Sequence, residues 1–217
     1  MIVNIGSGVS IIEAEGDGFR RLTGTSLGGG TFSALSRLVL GSNYPFNDLE
    51  HWCNNGDNKG VDLLVEDIYG GDYDQGGLAG YVVASSLAKL NGTLDDISDN
   101  GTNLSLKTQC DIVKSLLYLT VDNIAHIAYL ASQGTDKDSA KNKSEVDKTS
   151  KISEASKISE TSKSNKYVIY TGSFTTLGPV LWKKLSYSTE FWFGANTKAV
   201  FMRHEGFLGA LGCICTG

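Results

Sequence analysis

The chain has 217 residues, a hydrophobic fraction of 41% and a formal net charge of −5. That length supports one substantial domain with its own core. No run approaches the roughly 20 apolar residues that span a bilayer, so no membrane is expected, and the acidic balance argues against nucleic acid as a main partner. The first residues, Met1-Ile2-Val3-Asn4-Ile5-Gly6, lack the basic and apolar regions of a secretory signal, and a cytoplasmic location, with the nucleus as a further compartment, is the expectation. Cys53, Cys110, Cys213 and Cys215 form no C-x-x-C pair. They are read as free thiols of a reducing compartment, and no metal site is assigned.

The first elements read as a meander. Residues 1–4 form a short apolar strand, Gly6-Ser7-Gly8 a tight turn, residues 9–14 a second strand, and Gly16-Asp17-Gly18 a hairpin turn into a third strand over 19–25. Leu27-Gly28-Gly29-Gly30-Thr31 then opens a helix whose apolar positions are Phe32, Leu35, Leu38 and Val39, with Gly41 as its C-cap. A second helix is predicted over 46–53, and a short one over 61–68. Tyr69-Gly70-Gly71-Asp72-Tyr73 is a loop, and the small-residue run 82–90 is predicted helical. A long helix is predicted from 106 to 130, with apolar residues recurring at helical spacing.

Residues 134–166 differ in kind. They are rich in Ser, Lys, Asp and Glu, and contain the near-repeat Ser150-Lys151-Ile152-Ser153-Glu154-Ala155 followed by Ser156-Lys157-Ile158-Ser159-Glu160-Thr161. So little apolar surface cannot offset the entropy of ordering, so the stretch reads as a disordered insert within one fold, the alternative being a charged helix formed only transiently. Beyond it come a buried strand at 168–171, a helix over about 176–189, a strand at 198–202, the turn His204-Glu205-Gly206 and a terminal helix over 207–215. Strands alternating with helices imply an α/β sheet with helical cover.

Two glycine turns carry the chemistry. Gly6-Ser7-Gly8-Val9-Ser10 offers backbone N–H groups and two hydroxyls to an anion, although as an isolated sequence it is more simply a hairpin turn. It is no P-loop, since no Gly-Lys-Ser/Thr follows. Gly28-Gly29-Gly30 at a helix start allows close backbone approach beside a positive helix end. Arg20 and Arg21 lie on the strand between them. Regular alternation lets only one of the two reach a shared pocket, where a guanidinium clamps phosphate or carboxylate. Tyr69, Tyr73 and Trp192 are candidates for a ligand slot, or else core and loop anchors.

Five segments in one order are then recognisable: Asn4-Ile5-Gly6-Ser7-Gly8-Val9-Ser10; Arg21-Leu22-Thr23-Gly24-Thr25-Ser26-Leu27-Gly28-Gly29-Gly30-Thr31-Phe32; Asp67-Ile68-Tyr69-Gly70-Gly71-Asp72-Tyr73; Val83-Ala84-Ser85-Ser86; and His204-Glu205-Gly206. Together the chain resembles the eukaryotic-type, type II-like pantothenate kinases, over nearly all of residues 1–217 apart from the insert and the polar loop at 91–105. The resemblance implies one domain, the ribonuclease-H-like second lobe of the actin-like, sugar-kinase-like ATPase superfamily. It implies ATP-dependent phosphorylation of pantothenate to 4′-phosphopantothenate, the first step of coenzyme A synthesis, with Mg2+. It also implies a homodimer and feedback inhibition by acyl-CoA.

By the same resemblance Arg21 is the active-site arginine. Ser7 and Ser10 form the serine turn at the phosphate and pantothenate site. Gly6, Ser7, Gly8, Gly28, Gly29 and Gly30 lie near the ATP phosphates, and Gly172 near the adenosine. Tyr69, Val83, Ala84 and Trp192 line the pantothenate or pantetheine channel, partly across the dimer. Three positions depart from the family: Ser173 where Asn is usual, Ser188 where a small apolar residue is usual, and Tyr81 where Trp occurs. The family's Asp-x-Gly-Gly loop and general-base glutamate belong to its first lobe and do not precede the serine turn here. The expectation is that these 217 residues alone do not turn over. The competing expectation is a non-catalytic module that binds acyl-CoA or dimerises with a full-length kinase.

Overall fold

A computed structural model describes residues 1–16, 18–41, 45–91, 104–144, 166–202, 207 and 212–214. Along the chain these form β1 (Ile2–Ile5), β2 (Val9–Glu15), β3 (Gly18–Thr25), α1 (Gly29–Leu40), α2 (Leu49–Asn55), β4 (Leu63–Leu64), α3 (Val65–Tyr69), β5 (Val83–Ser85), α4 (Leu106–Ser144), β6 (Lys166–Thr171), α5 (Pro179–Phe193) and β7 (Thr197–Phe201).

Alternation along the strands builds the main sheet. Val3 and Ile5 of β1 and Val9 and Ile11 of β2 are buried, and they meet as the cross-strand pairs Val3↔Ile11 and Ile5↔Val9. Val168 and Tyr170 of β6 continue the same face, Tyr170 beside Val3. The strand order is β3-β2-β1-β6-β7. The first three strands are antiparallel neighbours, while β1, β6 and β7 run parallel. The predicted meander is therefore present, in a mixed five-stranded α/β sheet. The inner face packs in one core with Phe32 of α1, Leu49 and Cys53 of α2, Val113, Leu117 and Ile124 of α4, and Leu181 and Leu185 of α5.

The helices expected at the glycine run and near residue 46 are found, the second entered through a 3-10 turn over Phe46–Asp48. Gly41 closes α1 in the left-handed region, at φ 66°. Two predicted helices are corrected. In place of a helix over 61–68 there is a strand, Leu63–Leu64, and the helix covers only Val65–Tyr69. In place of a helix over 82–90 there is β5, antiparallel to β4. The reason lies in the fully buried carboxylate of Asp62. It accepts from Leu87 N–H at 2.8 Å, from Asn58 Nδ2 at 2.8 Å and from Ser115 Oγ, which pins the chain beyond β5. Such a buried acceptor holds non-helical backbone more firmly than small-residue propensity favours helix.

The long helix continues past the predicted end at 130 to Ser144, into the stretch read as an insert. The rest of that insert, residues 145–165, lies outside the described residues, as do 203–206 with His204-Glu205-Gly206 and most of the predicted terminal helix. The helix expected at 176 starts instead as a 3-10 turn, Ser173–Leu177, with α5 beginning at Pro179, whose fixed φ suits a first helical turn. Among the described residues no helix is long and apolar enough to cross a membrane.

Candidate functional site

The glycine turns meet at the carboxyl ends of β1 and β6. Gly29 N–H donates to Gly6 O at 2.9 Å and Gly30 N–H to Ser7 O at 3.0 Å, so the start of α1 is bonded onto the turn after β1. A β-carbon on Gly28 would lie 2.7 Å from Ser7 O, and one on Gly29 would lie 2.8 Å from both Gly6 O and the Phe174 ring. Gly172, at φ 102°, closes the same junction from β6, where a side chain would run into Ile5 O. The structure thus brings together Gly6, Ser7, Gly8, Gly28, Gly29, Gly30 and Gly172. It also shows what the run of three glycines does locally: it permits backbone contact, and two of its N–H groups are already engaged by carbonyls. Ser7 and Gly30 remain exposed at the rim. The crevice outside the carboxyl ends of parallel strands is where open α/β sheets bind ligands.

Arg21 reaches this region through an irregularity. Pairing between β2 and β3 steps from Ile11↔Thr23 to Ile12↔Arg21, leaving Leu22 as an extra, bulged residue. Without the bulge Arg21 would share the inner face with Ile11. With it, Arg21 stands on the outer face with Ile12 and Ser10, whose partners are Arg21 and Gly24. Its Nη2 lies 2.6 Å from where a β-carbon on Gly24 would be. Ser10 in turn pairs with Asn4 of β1, so Asn4, Ser10, Gly24 and the Arg21 guanidinium form one row across three strands. Arg20 pairs with Glu13 on the opposite face and is bound to it at 2.8 Å, so of the two arginines only Arg21 joins this row. Both arginines border a separate hollow of about 450 Å3 with Leu22 and Ile127.

A larger cavity, about 730 Å3, lies between β5, α2, α4 and α5. Of the residues predicted for the channel, Val83 and Trp192 line it. Trp192 is held there by a parallel stack on His126, 3.9 Å between centroids at 8°. Ala84 is exposed and Tyr69 stacks on Tyr73 at 4.4 Å; neither lines the cavity.

The sequence reading passed over most of the wall. Tyr118 and Asp122 come from one stripe of α4, and Lys184, Tyr187, Ser188 and Phe191 from one stripe of α5. The signal was their i, i+4 and i, i+3 spacing, which is the same spacing as a helix core face. Lys184 Nζ lies 2.8 Å from Asp122 Oδ1, and 4.4 and 5.0 Å from the Tyr118 and Tyr187 ring centroids. Ser188 Oγ lies 2.6 Å from the same Asp122 oxygen and 2.9 Å from Lys184 O, and its single proton goes to the nearer, charged acceptor. Burial, followed by the hydrogen bond with Tyr81, pushes the Tyr187 phenol up from its ordinary value. Burial and the Asp122 charge raise Tyr118. Both phenols are therefore protonated donors at neutral pH. Among the described residues no three His, Cys, Asp or Glu cluster.

The Fumble family matches residues 1–139 and 146–216. Pantothenate kinase 1 of Arabidopsis thaliana is 36% identical over 214 residues, covering 98% of this chain and 46% of that protein. Pantothenate kinase 2 of Oryza sativa subsp. japonica is 35% identical over 214 residues, and pantothenate kinase 2 of Arabidopsis thaliana 35% over 217; each match covers 98% of this chain and 20% of the relative. The chain therefore spans about half the length of the first of these relatives and a fifth of the other two. With nearly every residue inside the family match, the chain belongs to the Fumble family.

Proposed function

We propose that the chain is the second, ribonuclease-H-like lobe of a pantothenate kinase of the actin-like ATPase superfamily. Joined to a first lobe, it phosphorylates pantothenate with ATP to give 4′-phosphopantothenate. The single observation that carries this is the row formed by Ser10, Gly24 and Arg21 beside the glycine junction of Gly6–Gly8, Gly28–Gly30 and Gly172. It supports a site in which the junction seats the nucleotide phosphates, and Arg21 stabilises charge on the transferring group as a positioned cation. The sheet order β3-β2-β1-β6-β7 supports the lobe assignment.

The cavity holding Val83 and Trp192 is read as the pantothenate or pantetheine channel, and as the place where acyl-CoA acts as an inhibitor. The aromatic wall around Tyr187, Phe191 and Trp192 supports a homodimer face. Mg2+ and the general base are assigned to the first lobe, and the enzyme to the cytoplasm.

The test is ATP-dependent phosphorylation of labelled pantothenate by the 217-residue chain, alone and with a first-lobe fragment of Arabidopsis thaliana pantothenate kinase 1. Product only with the fragment, lost in Arg21→Ala, is the expected result. No product from the reconstituted pair overturns the kinase reading and leaves the regulatory module. Product from the chain alone overturns the assignment of the base to another lobe.

A further inference from the structure

The ion pair in the cavity wall is arranged asymmetrically. The Lys184 side chain is 11% exposed, whereas Asp122 is 35% exposed, toward the cavity it lines. Lys184 is enclosed by Asp122 and two tyrosine faces, so its charge is answered within the protein. Asp122 Oδ1 takes both Lys184 and Ser188, while among the described residues Oδ2 has no partner. The result is a partly exposed carboxylate in the wall of an aromatic slot of about 730 Å3, with one oxygen held and the other without a partner among the described residues.

We propose that Asp122 is a specificity-determining residue that accepts an amide N–H of an extended ligand in this cavity, with Lys184 and Ser188 as the residues that position it. An ionised carboxylate only accepts, and an amide N–H only donates, whereas a hydroxyl does either. The site therefore selects the amide most sharply. The Tyr81 and Tyr187 phenols hydrogen-bond to each other in the wall, which leaves one hydroxyl proton of the pair to donate to the amide carbonyl. Ser188 thereby gains a role that a small apolar residue lacks, since its hydroxyl holds the carboxylate that meets the ligand. The inference rests on the reading of the cavity as the pantothenate or pantetheine channel, and it adds how that channel tells an amide from its isosteres.

The experiment is calorimetric titration of the full chain with pantetheine and with its depsi analogue, in which ester oxygens replace the two amide N–H groups. The expected result is a preference of about 10-fold or more for pantetheine, as a hydrogen bond to a charged acceptor supports. The double variant Asp122→Leu/Lys184→Met removes the pair without leaving a lone buried charge, and is expected to bind both ligands alike. Ser188→Ala is expected to reduce the preference to about a third, an effect on discrimination that mere loss of packing would not produce. Equal binding by the wild type, or a preference retained in the double variant, overturns the role of Asp122 while the cavity reading stands. If the wild type binds neither ligand, the cavity reading falls and this inference with it. Should the double variant fail to fold, an unchanged preference in Ser188→Ala is sufficient to overturn the proposal.

Discussion

The guanidinium of Arg21 lies in the space that a side chain at Gly24 would fill, with Nη2 2.6 Å from that missing β-carbon. The glycine is thus part of the arginine's placement. A methyl there also meets Val9 O, a backbone atom that cannot swing aside. Gly24→Ala is expected to destabilise the chain by about 1–3 kcal/mol, as overpacking does. It should also displace Arg21, so that in the reconstituted kinase it lowers kcat toward the Arg21→Ala level. Thermal melts and steady-state assays check the two effects separately.

Within α1, Gly29 sits closer to the serine turn than Gly30 does. Alanine there would press on Gly6 O and the Phe174 ring, both at 2.8 Å. We expect a loss of about 1–3 kcal/mol in denaturant titration. Gly30→Ala, at 3.0 Å from Ser7 O, should cost less, and the order of the two midpoints is the check.

Asp62 holds the chain that carries Val83 into the cavity. Asp62→Ala leaves Leu87 N–H, Asn58 and Ser115 without their acceptor. Only the Ser115 bond is fully buried, the other two being part-buried, so a loss of about 1–3 kcal/mol is expected, set mainly by Ser115. Faster amide exchange at Leu87 than elsewhere in the β4–β5 region would confirm the mechanism, and unaltered exchange there would contradict it.

Alkaline pH should destabilise the fold through two buried acids. Burial pushes the Cys53 thiol from 9.0 to about 12 and the Tyr170 phenol from 10.0 to about 12. Below pH 9 both are protonated in the folded and the unfolded chain, and their contribution is complete. Above that pH the unfolded chain ionises first and binds fewer protons, so stability falls as pH rises toward 12. Melting temperatures across that range should decline, and Cys53→Ala together with Tyr170→Phe should flatten the decline.

Thiol chemistry separates the cysteines. Cys213 is exposed, whereas Cys53 is buried with its ionisation suppressed. Since the thiolate is the nucleophile, an alkylating reagent at neutral pH should modify Cys213 in the native chain and Cys53 only on unfolding. Mass spectrometry of the labelled peptides reads this directly.

Much of this architecture is legible in residue order. The alternation Val9, Ile11 against Ser10, Ile12 is a strand with two faces. The helix after the glycine run was legible but its buried face was not: of Phe32, Leu35, Leu38 and Val39 only Phe32 is buried, together with Ser36 and Leu40, while Leu35 and Leu38 are exposed. Local rules failed where a distant group intervened. Small residues at 82–90 favoured a helix, but Asp62, buried under α4, drew that backbone into a strand and turn. Tyr118, Asp122 and Lys184 were indistinguishable from a core stripe because a cavity wall and a packed face obey the same helical period, and Ser188 stood out only as a departure from the family.

The sequence by itself determined the elements of the sheet, the glycine turns and the family resemblance, because each rests on periodicity or on contiguous motifs. Only the tertiary structure decided which face Arg21 occupies, which glycine N–H groups are engaged, and that Asp122 meets Lys184 and Ser188. Those depend on a bulge at Leu22 and on the packing of α4 against α5, pairings between residues far apart in the chain whose register no local pattern encodes.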